Sequence, residues 1–268
     1  MDVTNLTKKR IKEYLSEGKR FDGRKPLDYR DIEIETGISK NSEGSARVRL
    51  GKTEVIVGVK LDVGEPYTDS PDEGVMITSC ELTPLSSERF EYGPPKIEAI
   101  ELGRLVDRGI RESGFIDWKK LCIKKGEKIW VLFLDIYTIN DDGDLLDAAC
   151  FAALAALFDA KFPKYDEKLE KVVYGEFTTK KLPLSKIVPL TFTFHKIGDE
   201  IVLDPTRQEE DSADTRITLS LSKDKDVAIN SCQKGGEKDF TKKEMIDILA
   251  KAFKKYEESD ELIKKLKK

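Results

Sequence analysis

Three arginines are spaced to line one face of a helix. The stretch 95–114 (PKIEAIELGRLVDRGIRESG) reads as an amphipathic helix closed by Gly114. Within it, Arg104, Arg108 and Arg111 recur at i, i+4 and i+7, so at about 100° per residue they share one side. Guanidinium groups in such a row have the geometry to hold consecutive phosphates of a polyanion. The stretch is therefore a candidate phosphate-binding face.

The same helix also offers a structural alternative for its arginines. Its buried stripe consists of apolar residues at helical spacing: Leu102, Leu105, Val106 and Ile110. The arginines point away from that stripe, and like charges on one face repel by roughly a few tenths of a kcal/mol per pair. Acids on the flanks could neutralise part of this charge: Glu101, Asp107 and Glu112. The helix alone leaves a phosphate-binding row and a solvated, ion-paired face both open.

Carboxylates are concentrated in a second place, the segment 204–214. It lies between two predicted strands and contains these acids: Asp204, Glu209, Glu210, Asp211 and Asp214. Carboxylates that converge can bind a metal ion or a substrate. The alternative is an acidic, solvated hairpin loop, and the segment by itself does not decide between the two.

Other chemical motifs are absent or incomplete. The run Asn140–Asp144 resembles a calcium loop, but placing Gly143 at loop position six puts Thr138 first and Ala149 twelfth, where carboxylates are needed. No Walker loop and no GxGxxG motif occur. The single histidine, His195, alternates within a predicted strand and is interpreted as a neutral strand residue. We predict no metal site and no cofactor.

The overall charge limits the classes of partner. The 268 residues carry 47 Lys and Arg against 51 Asp and Glu, a net charge of −4, so any polyanion site must be a local basic patch. The four cysteines are widely spaced without a CxxC pair and are predicted to be reduced thiols. The N-terminus lacks the apolar core of a signal peptide, and the longest apolar run, 148–158, is too short to span a bilayer. We expect a soluble cytoplasmic protein without a membrane partner.

Periodicity and turn signals place these groups on strands and helices. Helices are predicted over 6–17, 95–114, 145–162 and from 241 to near the end, with 264–268 frayed. Strands are predicted over 29–35, 46–50, 53–63, 75–82, 128–139, 172–178, 190–196, 200–203, 215–222 and 226–231. The almost continuously apolar run 128–139 is predicted to be buried on both faces. Since strands and helices do not alternate strictly, the pattern favours an α+β fold, with helices on mixed or antiparallel sheets.

Four segments, taken in order, resemble one family. Residues 20–24 (RFDGR), 44–59 (GSARVRLGKTEVIVGV), the arginine helix and 203–221 follow one another as in the RNase PH family of phosphorolytic exoribonucleases. This resemblance covers nearly the entire chain. It implies an RNase PH-like fold of layered mixed sheets with helices (ribosomal protein S5 domain 2-like), with a core domain over 1–186 and a C-terminal-type domain over 187–268. Within the family, the chain is similar to the non-catalytic RNase PH-type subunits of the archaeal exosome ring.

Two departures from the catalytic pattern indicate the non-catalytic branch. Catalytic relatives hold inorganic phosphate at a turn resembling GGTRTAA, whereas the matching stretch 143–149 reads GDLLDAA, with Leu146 at the arginine position. The family's paired aspartates also have no counterpart: registering on the strand puts Glu210 and Arg216 there, registering on Asp211 puts Ile217 at the second position, and neither register yields a pair. We therefore predict that the chain is not an enzyme. The alternative is an active phosphate-dependent 3′-to-5′ exoribonuclease that uses Asp204 and Glu210.

The resemblance also implies partners. In the family, the arginine helix faces an RNA channel, so Arg104, Arg108 and Arg111 are predicted to bind single-stranded RNA through its phosphates. A catalytic RNase PH-type sister would pair with this chain, and three such pairs would form a hetero-hexameric ring with RNA-binding cap proteins on one face. The chain would then help to structure the sister's phosphorolytic site. We expect no DNA partner.

Overall fold

The larger of two main sheets contains six strands. The computed structural model describes residues 3–267, and the strands of this sheet are β1 (Ile32–Thr36), β2 (Gly44–Leu50), β3 (Thr53–Gly64), β4 (Val75–Glu81), β5 (Cys122–Lys124) and β6 (Lys128–Asn140). Their order is β1-β2-β3-β6-β4, with β5 also paired to β6. All neighbours are antiparallel except β4 and β6, which are parallel. The prediction of mixed sheets with helices is confirmed.

One face of this sheet forms the core. Along β3, every second side chain from Val55 to Leu61 is completely buried, as expected from the two-residue period of a strand. The central strand β6 alternates in the same way, and Tyr137 on its outer face is 39% exposed. The prediction that this strand is buried on both faces is therefore wrong for its outer face. The apolar residues of this strand thus continue onto its outer face, although that face is partly exposed.

The second sheet has four antiparallel strands. In spatial order they are β10 (Glu200–Leu203), β9 (Leu190–Ile197), β11 (Thr215–Lys223) and β12 (Val227–Gly236). Along β9, Thr193 and His195 alternate with Phe192 and Phe194, and all four side chains are buried. The polar face looks toward a helix of the neighbouring layer, where Thr193 Oγ1 donates a hydrogen bond to Asp147 at 2.8 Å. Thr193 thus lies on the side of this sheet that faces the neighbouring helix.

Two helices form a layer between the sheets. Helix α3 (Leu145–Asp159) is buried all along its middle and contacts β2 and β3 on one side and β9 on the other. Helix α2 (Ile97–Arg111) packs against β4 and reaches the second sheet at Gly109. A Cβ atom added to Gly109 would lie 3.1 Å from Ser220 Oγ. The absence of a side chain at Gly109 therefore sets how closely α2 approaches β11.

A hairpin replaces the end of the predicted helix 145–162. Helix α3 stops at Asp159, and Phe162 belongs to β7 (Lys161–Asp166), which pairs with β8 (Lys171–Lys181). The Phe162 ring packs against Trp130 with 5.2 Å between centroids. Sequence patterns predicted β8 and missed β7. A proline follows Phe162 directly, and a helix interior does not tolerate proline.

The remaining helices cover the second sheet and its ends. They are α1 (Asn5–Ser16), α4 (Arg207–Glu210), α5 (Lys242–Glu257) and α6 (Asp260–Leu266). The predicted single C-terminal helix is thus divided at Ser259, and α4 was not predicted. One hydrophobic cluster joins residues of both main sheets, α2, α3 and α5.

The boundary between the two predicted domains, 1–186 and 187–268, stays a prediction. Within residues 3–267, no helix has the length and apolar character needed to cross a bilayer.

Candidate nucleic-acid interface

Helix α2 presents two opposite faces, as its sequence predicts. The four residues of the predicted stripe are all at most 4% exposed: Leu102, Leu105, Val106 and Ile110. On the other side, Arg104 and Arg108 are exposed. Arg108 also lies in the last turn of the helix, where a positive charge interacts favourably with the helix dipole. Burial of the apolar stripe thus fixes the direction in which the arginines point.

Arg104 and Arg108 have no ion pair or hydrogen bond with another side chain among residues 3–267. The acids on their flanks are engaged elsewhere. Glu101 accepts from Arg216 Nη2 at 2.7 Å, across the gap to the second sheet. Asp107 pairs with Arg111. These two positive charges are therefore available to a ligand, and the ion-paired alternative does not describe them.

Arg111 differs from the other two arginines of the row. Its Nε donates to Asp107 at 3.0 Å, and its Nη2 donates to the backbone oxygen of Met76 at 2.8 Å. The guanidinium also lies 5.7 Å from the centre of the Trp118 ring. Hydrogen bonds to Asp107 raise the pKa of Arg111 above its usual value. The structure thus divides the predicted row into two free guanidinium groups and one that ties α2 to β4.

A cleft lies beside the N-terminal half of α2. It has a volume of about 590 Å³ and is lined by the loop before α2, the start of α3, Glu210 and Arg216. Leu145 and Leu146, the first residues of α3, form part of its wall. The cleft therefore opens at the turn that leads into α3. Its lining decides whether it can accept an anion.

The start of α3 already holds a carboxylate of the chain itself. The backbone N–H of Asp144 donates to Glu210 Oε2 at 3.0 Å. Free N–H groups at a helix start are what bind phosphate in many proteins. Here Glu210 occupies one of them, and Leu146 supplies no guanidinium to the cleft. One amide at this turn is thus already engaged by a carboxylate of the chain.

Two further aspartates, Asp144 and Asp147, are buried behind this turn. Asp144 is 1% exposed with φ of 55°, and neither of its carboxylate oxygens has a hydrogen-bond partner. Burial and the nearby Asp147 raise the pKa of Asp144 well above its usual value. Burial also raises the pKa of Asp147 to about 7, although hydrogen bonds from Tyr29 and Thr193 oppose the shift. The two carboxyl groups thus lie beneath the turn, whereas the cleft in front of it is lined by both acids and cations, among them Glu210 and Arg207.

Asp204 and Glu210, the alternative catalytic pair, do not lie in one site. Asp204 is completely buried and accepts from Arg24 Nη1 at 2.7 Å and from Arg30 Nε at 2.9 Å. Glu210 lines the cleft and Asp204 does not. Arg216 also lines the cleft. The segment 204–214 therefore gives a structural ion cluster, and its carboxylates do not converge on one ligand.

His195 is a buried strand residue, as interpreted from the sequence. It is 2% exposed in β9. Burial, with Arg216 nearby, lowers its pKa to about 3, so the imidazole is neutral. All four cysteines are free. Within the described part of the chain, no three His, Cys, Asp or Glu side chains are placed to hold a metal ion.

The contacts between residues around the cleft were not predicted from the sequence. Glu210 meets Asp144 across 66 positions of the chain, and Arg216 meets Glu101 between separate layers. No local pattern marks such pairs. The one available signal was Arg216 itself, a cation within the predicted strand 215–222. An arginine at that position needs a carboxylate partner when it is largely buried.

Comparisons with known proteins agree with this geometry. The sequence model of the 3′ exoribonuclease family, domain 1, matches residues 28–163, and that of domain 2 matches residues 188–255. The exosome complex component Rrp42 of Methanosarcina acetivorans is 45% identical over 254 residues, which cover 94% of this chain and 91% of that protein. The Rrp42 protein of Thermococcus gammatolerans is 45% identical over 259 residues, covering 96% and 93%.

Solved structures show the same likeness. A chain of the Archaeoglobus fulgidus exosome with RNA bound to the active site superposes with a TM-score of 0.84 at 39% identity, covering 95% of this chain and 98% of that one. A chain of an archaeal exosome core gives a TM-score of 0.79 at 38% identity, with 92% of both chains covered. With both family models matched over most of its length, the chain belongs to the RNase PH family of 3′ exoribonucleases.

Proposed function

We propose that this chain is a non-catalytic subunit of an exosome ring that holds RNA for a catalytic sister of the same fold. The observation that carries the proposal is a pair of exposed arginines without side-chain partners, Arg104 and Arg108, on a helix beside a turn whose amide Glu210 already engages. Four residues separate them, or about 6 Å along the helix. Two guanidinium groups at that spacing suit neighbouring phosphates of one strand.

RNA holding follows from the chemistry of these two side chains. Arginine forms charge-assisted, often bidentate hydrogen bonds with phosphate. Such contacts fix the position of the strand without reading its sequence. On a chain with a net charge of −4, this attraction is local and does not make the whole surface a polyanion binder. Arg111 stays a prediction as a third contact, because Asp107 already shares its charge.

The absence of catalysis is proposed from the cleft. Phosphorolysis requires an inorganic phosphate held beside the last linkage of the RNA and a pair of carboxylates to support the reaction. Glu210 occupies an amide at the start of α3, and Leu146 replaces the arginine. Asp204 is neutralised by Arg24 and Arg30. Neither half of the chemistry is available within this chain.

The assembly is proposed from the family and from the relatives. Proteins at about 45% identity carry the name exosome complex component Rrp42, and one structural neighbour is part of an exosome with RNA at its active site. We infer three heterodimers of this chain with a catalytic sister, cap proteins on one face, single-stranded RNA in the channel and a cytoplasmic location. In this arrangement, α2 guides the strand toward the sister's site.

The test compares the chain alone, the sister alone and the reconstituted ring. Each is incubated with single-stranded RNA and inorganic phosphate. We expect nucleoside diphosphates only where the sister is present, and tighter RNA retention by the ring. Changing Arg104 and Arg108 to glutamate should weaken retention while the ring still assembles. The matched control is Arg10→Glu, an exposed arginine on α1.

Two results would overturn the proposal. Release of nucleoside diphosphates by the chain alone would support the active exoribonuclease with Asp204 and Glu210. Unchanged RNA retention after reversal of both arginines would remove the RNA-holding role and leave a scaffold.

A further inference from the structure

The exposed face of α2 continues beyond its arginines. At the N-terminal end of the helix, Ile97 is 71% exposed and Ile100 is 47% exposed. Tyr92, in the loop that leads into the helix, is 94% exposed. Large apolar side chains left in water forgo the free energy that burial would supply. We call these three residues the apolar shoulder.

The two isoleucines of the apolar shoulder and the free arginines lie on one stripe of α2, and Tyr92 borders the cleft beside the start of the helix. At about 100° per residue, Ile97, Ile100, Arg104 and Arg108 fall within roughly 80° of one another around the helix axis. Along the axis, about 10 Å separates Ile97 from Arg104, since each residue rises about 1.5 Å. One side of α2 is therefore apolar in its first half and cationic in its second half.

The charges around the stripe assign different roles to its halves. Glu98 lies in the first turn of α2, and Glu91 and Glu98 both border the neighbouring cleft. Lys96 pairs with Glu91 at 2.9 Å, so the charges at this end largely cancel, whereas a phosphate would be attracted at the unpaired Arg104 and Arg108. Nucleobases are uncharged, and each has an apolar face that stacks on aromatic side chains regardless of its identity.

We propose that the apolar shoulder is a nucleobase-contacting surface, with Tyr92 as its stacking residue. The inference rests on the proposed RNA-holding function and adds a second kind of contact to it. Arg104 and Arg108 hold the phosphates of a single strand, and the bases extend onto Tyr92, Ile97 and Ile100. The apolar contribution does not depend on salt, whereas the arginine contribution does.

The experiment measures RNA affinity of the reconstituted ring as a function of salt. Two probes are used: a single-stranded RNA 12-mer and an abasic strand of equal length. Tyr92→Ala should weaken binding of the RNA about tenfold, within the range for loss of one base–aromatic stack. The slope of log affinity against log salt should stay unchanged. Binding of the abasic strand should be equal for wild type and variant.

Two matched variants define what the tyrosine contributes. Tyr92→Phe keeps the ring and should restore the affinity lost in Tyr92→Ala. Tyr174→Ala removes another tyrosine, 64% exposed on β8, and should bind RNA as wild type does. The pair Ile97→Ser with Ile100→Ser should weaken RNA binding further without affecting the abasic strand.

Each contrary result overturns the inference in a distinguishable way. If Tyr92→Ala binds both probes as wild type does while the arginine variants lose affinity, the shoulder does not contact bases but the RNA-holding function stands. If the shoulder variants fail to form the ring with the sister, the surface is a protein interface. If the arginine variants also bind normally, the proposed function itself fails.

Discussion

Helices α2 and α3 lie side by side in one layer, and each has 15 residues, yet they treat charge in opposite ways. On α2, Arg104 and Arg108 project into solvent without side-chain partners. At the start of α3, Glu210 accepts from a backbone N–H, and Asp144 and Asp147 are buried behind it. Both places have geometry that suits phosphate. They differ in whether the chain supplies its own counter-charge.

The difference lies in where the chain places its own counter-charges. At the start of α3, Glu210 accepts from the amide of Asp144, and the side chain at position 146 is a leucine. On α2, two of the flanking acids, Asp107 and Glu101, pair with Arg111 and Arg216. Pairing within the chain thus engages the turn before α3 and leaves Arg104 and Arg108 unpaired.

The largest expected effect concerns arginines beside α3, which we predict to be structural. Arg30 donates to Asp204, to the backbone oxygen of Asp142 at 2.8 Å and to that of Gly143 at 2.9 Å. Arg30→Ala leaves the buried Asp204 with one fewer partner and should lower the free energy of unfolding by about 3–5 kcal/mol. Urea denaturation measures this free energy of unfolding. Arg104→Ala should change it by less than about 0.5 kcal/mol. Equal losses in the two variants would contradict the difference between the two helices.

The next effect concerns RNA affinity on the α2 side. Changing both Arg104 and Arg108 to glutamine removes two charges without adding negative ones. Affinity of the ring for single-stranded RNA should fall at least about tenfold at low salt. The slope of log affinity against log salt should become shallower by about 1.4, because each phosphate contact contributes about 0.7. An unchanged slope would show that neither arginine contacts a phosphate.

A smaller effect concerns pH and the buried Asp144. Its raised pKa means that, above about pH 4, the folded state keeps a proton that the unfolded state has lost. Stability therefore falls as pH rises from about 4 toward the folded pKa. Asp144→Asn does not titrate and should gain about 1 kcal/mol over wild type at pH 7, with no gain at pH 4. Urea titrations at both values measure this, and an equal gain at both would refute it.

The smallest expected effect is a null result at the turn itself. Leu146→Arg alone should not bind inorganic phosphate at millimolar concentration, because Glu210 still engages the amide of Asp144. Combining it with Glu210→Gln frees the amide of Asp144 and should allow weak binding. Isothermal titration of both variants separates these outcomes. Phosphate binding by the single variant would show that the missing guanidinium was the whole defect.

The periodicity of apolar residues predicted much of the fold and one part of the candidate site, the arginine face of α2. The apolar stripe of α2 has the strong 3.6-residue period that burial produces, so its direction and its exposed arginines were predictable. The turn at Leu146 was also predictable, since its residue types stand next to one another in the sequence. In both cases the relevant information is local.

What could not be predicted depends on distant partners. The engagement of Arg111 by Asp107 was one of several pairings open on the helix, and only the position of β4 with Met76 decides it. The buried state of Asp204 requires Arg24 and Arg30, which lie 180 and 174 residues away in the chain. The continuously apolar β6 resembled a fully buried strand, although its outer face stays partly exposed.

The close packing at Gly109 has a consequence for Arg108, one residue away. A Cβ atom at position 109 would lie 3.1 Å from Ser220 Oγ, so either Ser220 or α2 must shift by a few tenths of an ångström. Where α2 shifts, Arg108 moves with the backbone and its guanidinium changes position. A buried glycine thus influences where an exposed charge lies, and under the proposed function we expect Gly109→Ala to lower RNA retention even where the protein folds.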